Sequence, residues 1–96
     1  MDTEISNRVM RILSEKIVGA HYDGKITVDT PLLSSGLNLD SVAVLELVME
    51  VENEFGIVFE DADLSTDLFK TAGTVARAVE QKIRNRPVVA SAKRES

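Results

Sequence analysis

Hydrophobic residues recur three or four positions apart in three stretches of the chain, which predicts three main helices. The first covers residues 3–19, where Gly19 supplies a stop signal, and its apolar positions are Ile5, Val9, Ile12, Leu13 and Ile17. The second covers residues 40–55 before Gly56, and its core face is predicted to be Val44, Leu47, Val48, Val51 and Phe55. The last covers residues 74–84, with Thr74 as the cap and a buried stripe of Val75, Ala78, Val79 and Ile83.

The segments between these helices lack such a period. Residues 20–39 contain turn signals and a few apolar residues that are expected to pack the connection: Ile26, Val28, Leu32, Leu33 and Leu37. Residues 57–59 are interpreted as a packed loop, and a short helix is predicted over residues 64–69. The prediction is therefore an all-α bundle of three main helices plus a short third helix. It forms one domain over residues 1–85, with a long loop after helix 1 and a flexible C-terminal tail over residues 86–96.

Composition narrows the possible classes of protein. A chain of 96 residues fits one domain, and the absence of cysteine excludes disulfides, cysteine-ligated metals and a cysteine nucleophile. The chain opens without a basic and apolar signal sequence, and its apolar runs are too short to span a membrane. A cytoplasmic protein without membrane insertion is expected.

The negative charge is concentrated in the middle of the chain. Residues 40–67 contain nine acids and no base, whereas residues 68–96 contain seven bases and two acids; the central acids are Asp40, Glu46, Glu50, Glu52, Glu54, Glu60, Asp61, Asp63 and Asp67. A field of this sign attracts basic partners and repels phosphate backbones, so nucleic-acid binding is not expected.

One constellation points to chemistry. Residues 36–42 read Gly-Leu-Asn-Leu-Asp-Ser-Val and lead directly into the acidic second helix, and Thr74-Val75 introduces the last one. Over residues 5–84 this resembles the acyl carrier protein family, whose attachment site is an Asp-Ser at the start of the second helix. Val42 departs from the family's usual leucine, and Ala43 stands where fatty-acid carriers often have another acid, which hints at a dedicated pathway.

The resemblance implies a carrier rather than an enzyme, with no catalytic residue of its own. Ser41 would hold 4'-phosphopantetheine from coenzyme A, with Asp40 as the flanking motif residue. A phosphopantetheinyl transferase would attach the arm. An acyl-activating ligase, an acyltransferase or a ketosynthase of fatty-acid, lipid or polyketide-type biosynthesis would then use the thioester. The chemistry of the position agrees, because a helix N-terminus stabilises a phosphate; the simpler role for Ser41 is that of an N-cap.

The exposed side of the second helix is the candidate partner surface. Val42, Leu45 and Met49 lie off the core face and alternate with acids, a pattern that suits docking onto basic enzyme surfaces. The predicted partner-facing residues are Val42, Leu45, Glu46, Met49, Glu50 and Glu52. The alternative is that the apolar members of this stripe pack under the first loop or the short helix.

Two other functions compete with an acyl carrier. An aminoacyl or peptidyl carrier would share the fold and the cofactor but differ in cargo, and a helical adaptor would carry no covalent group. A calcium loop over residues 61–72 is disfavoured, since Thr66 and Ala72 stand where such a loop needs glycine and glutamate. No metal site is predicted, and the protein is expected to be a monomer.

Overall fold

The computed structural model describes residues 3–19, 24–33 and 36–85. The predicted tail over residues 86–96 and the single histidine, His21, lie outside these ranges. The described part contains helices and turns but no β-strand, and a single isolated bridge joins Pro31 to Thr71. The all-α fold class is confirmed.

The first helix, α1, spans Thr3–Ile12 and continues as a π-helical turn over Leu13–Ile17. The wider turn is visible in the bond from the Val18 amide to the Leu13 carbonyl, 2.9 Å long and five residues apart. Gly19 follows with a φ of +61°, a backbone conformation that glycine adopts without strain. The predicted helical segment over residues 3–19 is thus present, with its last turn widened.

The second helix, α2, spans Ser41–Phe55 and matches its prediction closely. Asp40 is the N-cap, and Gly56 ends the helix in the left-handed conformation that a C-terminal glycine favours. Leu47, Val48, Val51 and Phe55 are buried as expected, whereas Val44 is only partly buried.

The short helix predicted over residues 64–69 is not present there. The helical turn lies earlier, as a 3₁₀ turn over Asp61–Asp63, and residues 65–70 form hydrogen-bonded turns instead. The reason is a reciprocal pair of hydrogen bonds: the Asp63 side chain accepts one from the Glu60 amide at 2.8 Å, and the Glu60 carbonyl accepts one from the Asp63 amide at 2.8 Å. This pairing places the helical turn at Asp61–Asp63, before the residues 64–69 that were expected to form the short helix.

The last helix, α3, spans Ala72–Arg84 and begins two residues before the predicted start at residue 74. Thr71, not Thr74, is the N-cap; its hydroxyl accepts a bond from the Thr74 amide at 3.1 Å. The Thr74 hydroxyl in turn accepts a bond from the Thr71 amide at 3.0 Å, which completes a reciprocal capping box. The prediction was wrong because two threonines three residues apart both suit the cap, and the sequence alone does not show that Thr74 serves as the N3 partner of a cap at Thr71.

The three helices enclose one apolar core. Val9, Leu13, Leu32, Val51 and Val79 are fully buried, and α1 packs against both α2 and α3. After α2, Ile57 and Phe59 turn into this core while Val58 between them is exposed, so residues 57–59 form the predicted packed loop. Within the described ranges, no helix is long and apolar enough to cross a membrane. One face of α2 packs into this core, and the opposite face of the helix is exposed to solvent.

Candidate functional site

Ser41 is the first residue of α2, and its side chain is exposed. Its hydroxyl makes no hydrogen bond to another described residue. As first-turn residues, Ser41 and Val42 carry backbone N–H groups that no helical carbonyl can reach, and these groups point out of the helix end. The arrangement presents a free hydroxyl next to open N–H donors and the positive end of the helix dipole.

Asp40, and not Ser41, is the N-cap of α2. Its Oδ1 accepts a hydrogen bond from the Ala43 amide at 2.8 Å, and its carbonyl accepts one from the Val44 amide at 2.9 Å. Since Asp40 caps the helix through the Ala43 amide, the Ser41 hydroxyl is released from that task. The two residues of the motif therefore have separate roles.

The residues before the motif are folded back onto the preceding chain. The amides of Leu37, Asn38 and Leu39 donate to the carbonyls of residues 31, 33 and 32, respectively, at 2.9 to 3.0 Å. Asn38 has a φ of +55°, a left-handed conformation in which asparagine is among the better-tolerated residues. This hydrogen-bonded turn leads directly to Asp40 and fixes where α2 begins.

Gly36 is required by the same turn. A Cβ atom at this position would lie 2.0 Å from the Pro31 carbonyl oxygen, a distance at which the two segments could not remain together. The sequence pattern singled out this glycine only by its resemblance to the family motif. Its physical reason is the close approach of two backbones, which no local pattern reveals.

The predicted docking stripe is exposed along α2. The exposed fractions are 66% for Val42, 59% for Leu45 and 64% for Met49. The alternative, in which these side chains pack under a neighbouring loop, does not hold for the described residues. Three large apolar side chains on one helix face, with no described residue over them, are typical of an interaction surface.

The acids of α2 divide into one open carboxylate and three engaged ones. Glu46 is exposed, and no described residue forms an ion pair with it. Glu50 lies 3.8 Å from the Lys16 ammonium, and Glu54 lies 2.8 Å from the Arg8 guanidinium. The negative field available to a partner is therefore centred on the first half of the helix, where Ser41 lies.

Glu52 differs from its prediction as a partner-facing residue. Its Oε2 accepts a hydrogen bond from the Phe59 amide at 2.8 Å, which ties the packed loop to α2. A carboxylate used in this way stabilises the turn after the helix instead of presenting charge outward. We therefore leave Glu52 out of the docking surface, whereas Glu46 and Glu50 stay predicted members.

Arg8 is a residue that sequence reasoning missed. Its guanidinium lies 4.5 Å from the centre of the Phe55 ring and also pairs with Glu54, so it joins α1 to the end of α2. An arginine on the polar side of an amphipathic helix gives no local signal of a partner 46 residues away. Only the packing of the two helices brings these groups together.

Another ion pair joins the turn after α2 to α3. The Lys82 ammonium lies 2.6 Å from Oδ2 of Asp63. The hydrogen bond from Lys82, with a further one from the Glu60 amide, lowers the pKa of Asp63. The bond to Asp63 in turn raises the pKa of Lys82.

In the part of the chain that is described, no three metal-ligating side chains cluster closely enough to hold an ion.

Comparison with known proteins supports this site. The family model described as "Phosphopantetheine attachment site" matches residues 8–79, which include the motif, all of α2 and parts of α1 and α3. A relative named "Acyl carrier protein" from Thermotoga maritima is 35% identical over 80 residues. The match covers 83% of this chain and 93% of that protein.

Proposed function

The chain belongs to the acyl carrier protein family, and from that premise we propose that Ser41 bears the prosthetic group with which this chain carries acyl groups. The family's group is 4'-phosphopantetheine. The observation that supports Ser41 is its exposed hydroxyl at the first position of α2, left free because Asp40 caps the helix.

The residues at this position fit the group. The phosphate would lie at the N-terminus of a 15-residue helix, beside the backbone N–H groups of the first turn. Nothing described covers the serine, so an arm attached there would extend into solvent. When bound, phosphopantetheine supplies the thiol on which an acyl group is held as a thioester, and the chain has no cysteine of its own.

We propose that the chain carries and does not catalyse. In the described ranges, the Ser41 hydroxyl has no hydrogen-bonded base that would activate it as a nucleophile. Activation is therefore assigned to a phosphopantetheinyl transferase, which moves the arm from coenzyme A to Ser41. An acyl-activating ligase, an acyltransferase or a ketosynthase would load and use the thioester.

The exposed stripe of Val42, Leu45 and Met49, with Glu50 and the open carboxylate of Glu46 beside it, is the proposed docking surface for these enzymes. The open carboxylate attracts a basic enzyme surface and speeds the encounter, while the apolar side chains hold the complex once water is excluded. Methionine adapts its shape easily, which suits a surface that meets several partners in turn.

The cargo is proposed to be an acyl group of fatty-acid, lipid or polyketide-type biosynthesis. The relative from Thermotoga maritima, which bears the name of an acyl carrier, favours this class over aminoacyl or peptidyl cargo. Loading assays that offer fatty-acyl, malonyl and aminoacyl donors to the modified protein would distinguish the classes. Preferential loading of an amino acid would overturn the acyl assignment.

The attachment is tested by intact mass spectrometry after incubation with coenzyme A and a transferase of broad specificity. The parent chain should gain one phosphopantetheine, and Ser41→Ala should gain none. Ser65→Ala, which removes another exposed hydroxyl far along the chain, is the matched control and should be modified like the parent. A folded parent chain without an adduct would favour the adaptor function instead.

A further inference from the structure

The loop that leads to Ser41 is fastened to the start of α3 by backbone hydrogen bonds. The Gly73 amide donates to the Val28 carbonyl at 2.8 Å, and the Ala72 amide donates to the Thr30 carbonyl at 3.3 Å. The Leu32 amide donates to the Lys70 carbonyl, also at 3.3 Å. These bonds make a short ribbon of two chain segments that are about 40 residues apart in sequence.

The same loop segment holds the residues just before the motif. Residues 31–33 accept the three bonds from residues 37–39 described above. The start of α3, the loop over residues 28–33 and the turn over residues 37–39 are therefore joined in series by hydrogen bonds, and the chain continues directly from that turn through Asp40 to Ser41. A displacement at the first junction would be transmitted to Asp40 and Ser41.

Gly73 is the close contact of the first junction. A Cβ atom there would lie 2.9 Å from the Val28 carbonyl oxygen and 3.4 Å from the Val28 Cβ. Glycine is also a poor helix former compared with alanine, yet it occupies the first turn of α3. Close approach of the loop explains why the smallest residue lies there.

We propose that Gly73 is a positioning residue for the modification of Ser41. By allowing the loop to pack directly on the start of α3, it sets the position of α2's first turn, and so the direction in which the hydroxyl is offered to the transferase. This inference rests on the proposed function. It assigns Gly73 no contact with coenzyme A or with the reacting atoms.

Steady-state kinetics of modification separate positioning from simple destabilisation. Gly73→Ala adds the Cβ that pushes the loop away, while no residue of the docking stripe on α2 is substituted. The transferase should bind the variant with a KM close to the parent's but modify it with a kcat lower by on the order of tenfold, since small misplacements of a reacting group are costly. A merely destabilised protein behaves differently: an unfolded fraction raises the apparent KM and leaves kcat at saturation unchanged.

Gly56→Ala is the matched control. It too adds one methyl group, with no neighbour within 4 Å, but at a φ of +66°, so it strains the opposite end of α2 without touching the loop. Its kcat should equal the parent's. A kcat for Gly73→Ala within twofold of the parent's, or an equal loss in Gly56→Ala, would overturn the inference.

A second variant decides the matter if Gly73→Ala does not fold. Val28→Gly loosens the same junction from the loop side without adding an atom, and it should also lower kcat with little change in KM. An unchanged kcat in that variant would reject the positioning role. Failure of the proposed function is a separate result, because the parent chain itself would then remain unmodified.

Discussion

Leu45 and Leu47 are two residues apart on α2 and have opposite surroundings. Leu47 is 1% exposed and lies in the core, whereas Leu45 is 59% exposed and faces solvent. The same difference separates Val51, which is fully buried, from Val42, which is not. Identical side chains therefore serve two purposes on one helix, and residue type alone does not distinguish them.

The difference shows how the helix is divided. One face fastens α2 to the bundle through apolar contacts, and the ion pairs from Arg8 and Lys16 hold its second half to the first helical segment. The other face, near Ser41, exposes apolar side chains and an open carboxylate to solvent, and this exposure contributes nothing to the stability of the fold. Such a face is the one that the proposed docking of partner enzymes would use.

Truncating the buried leucine should have the largest effect. Leu47→Ala removes a fully buried side chain and leaves a cavity, so the free energy of unfolding should fall by about 2–5 kcal/mol. Urea unfolding followed by circular dichroism measures the loss. Under conditions where the variant remains folded, modification of Ser41 should proceed as in the parent. A decrease in the free energy of unfolding of less than about 1 kcal/mol would mean that the buried and exposed faces of α2 are not distinct.

Truncating the exposed leucine should give the reverse result. Leu45→Ala should change the free energy of unfolding by no more than about 0.5 kcal/mol. Its affinity for the transferase or a condensing enzyme should fall by about 1–2 kcal/mol, roughly tenfold, as for an apolar interface residue of moderate weight. Calorimetric titration measures the affinity, and an unchanged value would remove Leu45 from the docking surface.

Neutralising the open carboxylate should have a smaller effect, confined to the encounter rate. Glu46→Gln should slow association with a basic enzyme a few-fold at low salt, and the difference should shrink as salt screens the field. Glu54→Gln is the charge-matched control, since Arg8 already neutralises that carboxylate at 2.8 Å. Stopped-flow association rates would contradict the division of the acids if both variants slowed equally.

The smallest effect is expected at the ion pair outside α2. Lys82→Met removes the partner that lowers the pKa of Asp63, so it should cost a little stability near neutral pH. A lowered carboxyl pKa contributes stability above the carboxyl group's ordinary pKa, and that contribution is lost as the pH falls through the lowered value. The parent and the variant should therefore converge in acid, as thermal unfolding across pH would measure; a difference that persists in acid would exclude the ion pair as its cause.

The sequence predicted α2 well because its signals are local. Asp40, Gly56 and the apolar period mark the start, the end and the buried face without help from distant residues. The start of α3 was misplaced because the choice between Thr71 and Thr74 depends on a reciprocal bond that both residues make. The local sequence pattern does not show which of the two threonines caps the helix.

The candidate site was predictable in part for the same reason. The exposure of Ser41 and of the apolar stripe followed from their places on the helix. The internal bond of Glu52, the contact of Arg8 with Phe55 and the packing of Gly73 on Val28 did not, because each joins residues that only the fold brings together. Side chains of the same type on one helix, such as Glu46 and Glu52, therefore differ in role because of partners that are distant in sequence.

Peptide mapping of the modified protein tests the central claim most directly. After incubation with coenzyme A and a transferase, the chain is digested and the adduct is located by fragmentation. We expect phosphopantetheine on Ser41 alone, with the nearby Ser34 and Ser35 unmodified. An adduct on either of those serines, with Ser41 left free, would contradict the account of a hydroxyl released by its neighbour's cap.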